Sequence, residues 1–313
     1  MSSFDIVALG EILIDMTYAG KSAAGQTLFE QNPGGAPANV LAAARRLGAD
    51  CALIGKVGED MHGRFLKEVL EREGISTRGL IVDADVFTTL AFVNLDENAN
   101  RTFSFARKPG ADTCLTTDEV DAELISSSRI FHIGSLSLTD EPAKSATLHA
   151  LELAKRAGCI ITYDPNYRAS LWQNEAVAVR EMRSVLRDVD LIKISDEETE
   201  LITGQKSPEA AADALLAEGI SLVIVTMGRD GAYIRTRDFA HRAPAASVKA
   251  VDTTGAGDAF MGAFLYKLSR SGKRPSELSC EELAEFAEFA NRVAGFCVER
   301  RGAICAMPHL DEI

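Results

Sequence analysis

The chain has 313 residues, 46% of them hydrophobic and 25% charged, enough apolar material for one large α/β domain or two of ordinary size. Its net charge of −13 argues against nucleic acid as a partner, since a phosphate backbone rewards the opposite sign, and no stretch approaches the ~20 uninterrupted apolar residues of a membrane helix. Cys51, Cys114, Cys159, Cys280, Cys297 and Cys305 form no C-x-x-C pair, and Met1-Ser2-Ser3-Phe4-Asp5 lacks the basic and apolar regions of a signal peptide, which together point to a reducing cytoplasm.

In chain order, residues 4–9 predict a short apolar strand ending at Gly10. Residues 12–18 and 27–31 predict two more strands across a small, polar stretch. A helix over 39–47 closes at Gly48, a strand follows at 51–54, and a helix over 64–73 ends at Gly74. Residues 86–95 and 101–107 alternate around Asp96-Glu97-Asn98-Ala99-Asn100, the pattern of a hairpin. Buried strands are predicted at 130–133, 159–163, 190–194 and 222–226, with helices at 144–157, 177–186 and 208–218 between them. This rhythm predicts a parallel sheet covered on both faces. The segments about 11–35 and 86–108 break it and predict a small inserted β-sheet, either a flap that closes over a substrate or an ordinary edge hairpin.

The most informative run is Val251-Asp252-Thr253-Thr254-Gly255-Ala256-Gly257-Asp258-Ala259-Phe260, after which Phe260, Phe264, Leu265 and Leu268 recur at helical spacing until Gly272. Gly255 and Gly257 let successive N–H groups point one way, and a helix N-terminus offers such donors to an anion. A carboxylate there, Asp258, suits a base that takes a proton from a hydroxyl while the donors hold the developing charge. An Asp that caps the helix after a glycine turn is the alternative.

Other signatures are excluded. Gly20-Lys21-Ser22 ends like a phosphate-binding P-loop, but Asp15 stands where its first glycine belongs. Phe260 occupies the third glycine position of a dinucleotide fingerprint. His62, His132, His149, His241 and His309 are far apart, which leaves no metal cluster or triad among them. Pro33-Gly34-Gly35-Ala36-Pro37-Ala38-Asn39 brings a bare backbone to a helix start, open to a polyol or simply a capped loop. Asn39 can both donate and accept, and Asp15 can grip two hydroxyls. Asp164-Pro165-Asn166-Tyr167-Arg168 and Ser195-Asp196-Glu197-Glu198 follow strands at the edge where open α/β sheets bind ligands. The acidic residues suit Mg²⁺ with its waters and phosphates, or a negative first helical turn. Thr226-Met227-Gly228-Arg229-Asp230-Gly231 is a further glycine turn at a strand end.

Taken together, Gly34-Gly35 with Asn39 and the run Asp252 to Phe260 resemble the two signatures of the ribokinase-like carbohydrate kinases, the PfkB family, over nearly the whole chain. The resemblance implies a single kinase domain over 1–313, with a parallel α/β body and a β-sheet lid from the two insertions. It implies Asp258 as general base and the backbone of Gly255, Ala256, Gly257 and Asp258 as the anion hole. Asp15, Gly34, Gly35 and Asn39 would meet the sugar. Lys193, Thr226, Gly228, Gly231 and Asn291 would meet ATP, Glu198 would serve Mg²⁺ from its second shell, and Asp252 with Thr254 would hold a monovalent cation, usually K⁺. Ser195 departs from the family's N-x-x-E motif. Within the family, Asp164-Pro165-Asn166-x-Arg168 before Leu171-Trp172, and Gly302-Ala303-Ile304 before Met307-Pro308, look most like fructokinases. Arg107 and Arg168 could instead pair with the carboxylate of 2-keto-3-deoxygluconate, and a ribokinase, a nucleoside kinase or a sensor without catalysis are the further alternatives. The apolar residues on both faces of 86–95 predict a homodimer through the lid strands.

Overall fold

The computed structural model describes residues 4–95 and 101–313. The proposed turn residues Asp96 to Asn100 therefore lie outside the described residues. The strands are β1 (Phe4–Leu9), β2 (Leu13–Lys21), β3 (Thr27–Gly34), β4 (Cys51–Gly58), β5 (Ser76–Asp83), β6 (Leu90–Leu95), β7 (Arg101–Ala106), β8 (Ser128–Gly134), β9 (Ile160–Asp164), β10 (Leu191–Ser195), β11 (Leu222–Thr226), β12 (Ala232–Arg235) and β13 (Ala240–Ala243). The helices are α1 (Ala36–Arg46), α2 (Met61–Arg72), α3 (Ala122–Ser126), α4 (Ala143–Ala157), α5 (Glu175–Ser184), α6 (Thr199–Thr203), α7 (Pro208–Ala217), α8 (Ala256–Ser271) and α9 (Cys280–Val298).

Nine strands form one sheet in the order β13-β12-β11-β10-β9-β8-β1-β4-β5. Pairing is parallel from β11 through to β5, while β12 and β13 are antiparallel. Because successive side chains of a strand face opposite ways, β1 feeds two cores. Ile6 and Ala8 pack with Leu41 of α1, Phe264 of α8 and Phe286 of α9. Val7 and Leu9 pack with Leu151 of α4, Met182 of α5 and Leu215 of α7. The chain order reverses at β1 and β8, which opens a crevice beyond their C-terminal ends where open α/β sheets take ligands.

The second sheet, of four strands in the order β3-β2-β6-β7, is built from the two segments that broke the strand-helix rhythm. Its β6 starts at Leu90, not at residue 86 as the alternation predicted, because the preceding threonines are committed elsewhere. Thr88 donates from its backbone and hydroxyl to Asp60, and the Thr89 hydroxyl donates to Asp112. Among the described residues no helix is long and apolar enough to cross a membrane, and all six cysteines are free.

Candidate active site

Gly255 is the N-cap of α8 with φ 78°, a left-handed conformation that glycine adopts without strain. Asp258 stands in the first turn and is only 7% exposed. Among the described residues no side chain caps α8, so the carboxylate is not spent as a helix cap. Its Oδ2 instead accepts a hydrogen bond of 2.8 Å from Asn39 Nδ2, which arrives from the first turn of α1. Burial, and after it the charge of Asp164, raises the Asp258 pKa to about 6, against the Asn39 hydrogen bond and the Lys193 and Arg168 charges. Asp258 is thus ionised near neutral pH and poised close to it, as a general base should be.

Lys193 points up from β10 with Nζ 2.6 Å from Asp164 Oδ2. A Cβ placed on Gly257 would lie 3.1 Å from that same Nζ, so the ammonium sits against the glycine turn. Burial pushes the Lys193 pKa down, but Asp164 and Glu198 outweigh it and the net shift is upward. A fixed positive charge and the N-terminus of a 16-residue helix therefore converge beside the buried carboxylate, which suits an anion.

One cavity of about 430 Å³ gathers Asp15, Gly35, Asn39, Arg168, Lys193, Thr254, Gly255, Gly257 and Asp258 on its walls. Asp15 enters from β2, and burial raises its pKa to about 6 against the Arg168 charge. Phe105 of β7 also lines the cavity, so the small sheet faces the crevice of the large one. Asn166 and Glu197, from the two strand-end clusters, line the same space, and so does Glu11, which sequence reasoning passed over. Asn166 carries φ 46°, the one positive value at a described residue other than glycine.

Other predicted residues sit elsewhere. Arg107 is not on the cavity wall: it is 6% exposed and its guanidinium pairs with Asp112 at 2.7 Å, with further bonds to Leu136 O and Thr139 Oγ1 at 2.9 Å each. Gly34 ends β3 opposite Leu13. Glu198 accepts from Tyr167 N at 2.7 Å through one oxygen, and from Ser195 N at 2.8 Å and Ser195 Oγ at 3.1 Å through the other. Ser195 thereby fastens Glu198, and the pair holds the loop that carries Asn166 and Arg168. Asp252 accepts from Thr254 N at 2.9 Å and Gly302 N at 3.1 Å, binding the glycine turn to the C-terminal loop. Thr226, Gly228 and Gly231 stand at the end of β11, and Asn291 of α9 donates to Ala243 O and Pro244 O at 3.0 Å each. These four are outside the cavity wall, on the β10–β13 side of the sheet.

A glycine turn at a helix N-terminus, a buried carboxylate beside it and a small β-sheet facing the crevice define a ribokinase-like phosphotransferase. The profile described as pfkB family carbohydrate kinase matches residues 3–310, and the chain belongs to that family. It is 41% identical over 307 residues, 97% of this chain and 94% of the relative, to probable fructokinase-5 of Arabidopsis thaliana. Fructokinase from Xylella fastidiosa with bound ATP superposes with a TM-score of 0.91 at 32% identity, covering 98% of this chain and 96% of that one. A double mutant of Vibrio cholerae fructokinase, in fructose, ADP and potassium ion bound form, gives 0.87 at 29% identity, covering 100% and 98%.

Proposed function

We propose that the chain transfers the γ-phosphoryl group of ATP to a hydroxyl of fructose, with Asp258 as the general base. The observation that carries this reading is the placement of the Asp258 carboxylate, held by Asn39 at 2.8 Å, beside the glycine turn and the Lys193 ammonium. The sugar hydroxyl loses its proton to Asp258 as its oxygen bonds to the γ-phosphorus and the bond to the ADP oxygen breaks. Charge on the transferring group is taken by N–H groups at the start of α8 and by Lys193, and positioning with electrostatics supplies most of the acceleration in this chemistry. The four-stranded sheet serves as a lid that excludes water and so suppresses ATP hydrolysis. The Xylella and Vibrio relatives, solved with ATP and with fructose and ADP, support this choice of substrates. So does the pairing of Arg107 with Asp112, which withdraws one of the two cations that an acidic sugar would have needed.

Mg²⁺ keeps most of its waters and needs only one or two protein carboxylates besides the phosphates. The donor set here fits: Glu197 is exposed at the cavity wall, and Glu198, its oxygens already accepting, would act through water. When bound, Mg²⁺ offsets phosphate charge. Asp252 and Thr254 fit a monovalent cation beside the glycine turn, with K⁺ favoured by the potassium-bound Vibrio relative. The Gly228 turn and Asn291 would flank the nucleotide. On the outer face of the small sheet, opposite Asp15 and Ala91, Phe92 meets Phe29 edge to face at 5.6 Å, and Tyr18 is 43% exposed. This face supports a homodimer through the lids, and the free thiols agree with a cytoplasmic setting.

The test is product stoichiometry with purified chain, Mg-ATP, K⁺ and fructose. One phosphorylated fructose per ADP is expected; ADP accompanied by free phosphate would refute transfer to the sugar.

A further inference from the structure

Glu11 lies in the link between β1 and β2, 3% exposed, on the wall of the sugar cavity. Its two carboxyl oxygens have different fates. Oε1 accepts from Ala36 N at 2.9 Å, and Ala36 is the first residue of α1. The N-cap of that helix is Gly35, which has no side chain to offer its orphaned N–H groups. Glu11 therefore supplies from a distance the cap that Gly35 cannot. Oε2 is buried and has no hydrogen-bond partner among the described residues. A buried carboxyl oxygen left unpaired is costly, and such groups mark places where something else completes the bond. Burial raises the Glu11 pKa to about 7, against its backbone hydrogen bonds, in keeping with an oxygen that is poorly compensated before a ligand arrives.

Ala36 and Asn39 share one turn of α1, and Asn39 holds Asp258. The backbone around this turn is tightly crossed: a Cβ on Gly35 would lie 2.5 Å from Glu11 O. Glu11 thus touches the cavity with one oxygen and, with the other, the helical turn that aims the base.

We propose that Glu11 is a sugar-binding residue whose Oε2 takes a hydroxyl of the acceptor while Oε1 fixes the first turn of α1, so that sugar occupancy and the placement of Asp258 are read by one carboxyl group. The inference rests on the sugar-kinase reading above. A bond to the sugar should appear in the affinity for the acceptor and depend on one particular hydroxyl. A purely structural cap should not discriminate among sugars.

The experiment is steady-state kinetics of wild type and Glu11→Gln with fructose and with each singly deoxygenated fructose, beside melting temperatures. The amide oxygen of Gln preserves the bond from Ala36 N–H, while its NH₂ group replaces the second oxygen. Expected is a rise of roughly tenfold in the KM for fructose, the scale of losing one hydrogen bond to a charged group, with the KM for ATP within about twofold and an unchanged melting temperature. For one deoxy sugar, the one lacking the hydroxyl that Glu11 reads, the wild-type and variant values should coincide. An unchanged KM for fructose, or one common factor for every sugar, would overturn the proposal. Failure of the wild type to phosphorylate fructose would refute the substrate reading instead, before any variant is compared.

Discussion

As the proposed base, Asp258 answers two opposed demands, since a base must be ionised while burial beside Asp164 favours its neutral form. With its pKa raised to about 6, kcat should fall on the acid side with an apparent pKa near that value; a rate flat down to pH 5 would contradict the assignment. Asp258→Asn should lose at least ~10²-fold in kcat, with ATP affinity retained by titration calorimetry. The same shift has a consequence for stability. The folded chain holds this proton more tightly than the unfolded chain, whose value is 3.8, so the stabilisation from protonation is full below about pH 4 and disappears as pH rises through about 6. Above that, folding works against a buried charge. The melting temperature of Asp258→Asn should therefore equal or exceed that of wild type at pH 8, and the difference should narrow toward pH 5, a trade of stability for activity that is common at catalytic sites. Asp258 and Asn39 were legible in the sequence because glycine runs advertise them, and Asp15 because it is an acceptor within the first strand of the inserted sheet. Glu11 was not, since its partner Ala36 is 25 residues away and no local pattern announces a cap supplied across the fold.

At the scale of elements, the crossing of Gly35 over Glu11 is a close backbone approach on the wall of the cavity. Gly35 has φ 106° with Glu11 O in the way of any Cβ, whereas Gly48 has φ 108° with open space around it. Gly48→Ala should cost only the backbone term, about 1–2 kcal/mol. Gly35→Ala adds an overpacking cost of about 1–3 kcal/mol, and by displacing α1 it should also raise the KM for fructose. Equal melting temperatures for the two variants would contradict this account. Elements with a strong local period were the legible ones: β1 has the predicted limits, and β11 coincides with the run 222–226. Helix α8 begins at Ala256, within the glycine run that the sequence placed at a helix start. The pattern reading left β5, β12, β13, α3, α6 and α9 unassigned. Strand β12 and β13 are only four residues each, too short for a period to emerge. Helix α9 did carry a signal, the capping box of Ser279 with Glu282 ahead of Leu283, Phe286, Ala287, Ala290 and Val293.

Over the whole molecule, two cores on opposite faces of one sheet carry the C-terminal strand ends, while the small sheet supplies Asp15, Phe105 and the outer aromatic face. If that face joins two chains, sedimentation at micromolar concentration should give twice the chain mass, and Tyr18→Glu should shift it toward the monomer. A wild-type monomer would refute the lid dimer. The acceptor is the central claim, and it was the part least legible in the sequence: Arg107 and Arg168 looked alike there, and only the burial of Arg107 against Asp112 separates them. The most direct test is kcat/KM, measured by ADP release with Mg-ATP and K⁺, for fructose against 2-keto-3-deoxygluconate, ribose, glucose and nucleosides. A clear preference for fructose is predicted; a preference for the keto-deoxy acid would contradict the account and make Arg168 a carboxylate binder.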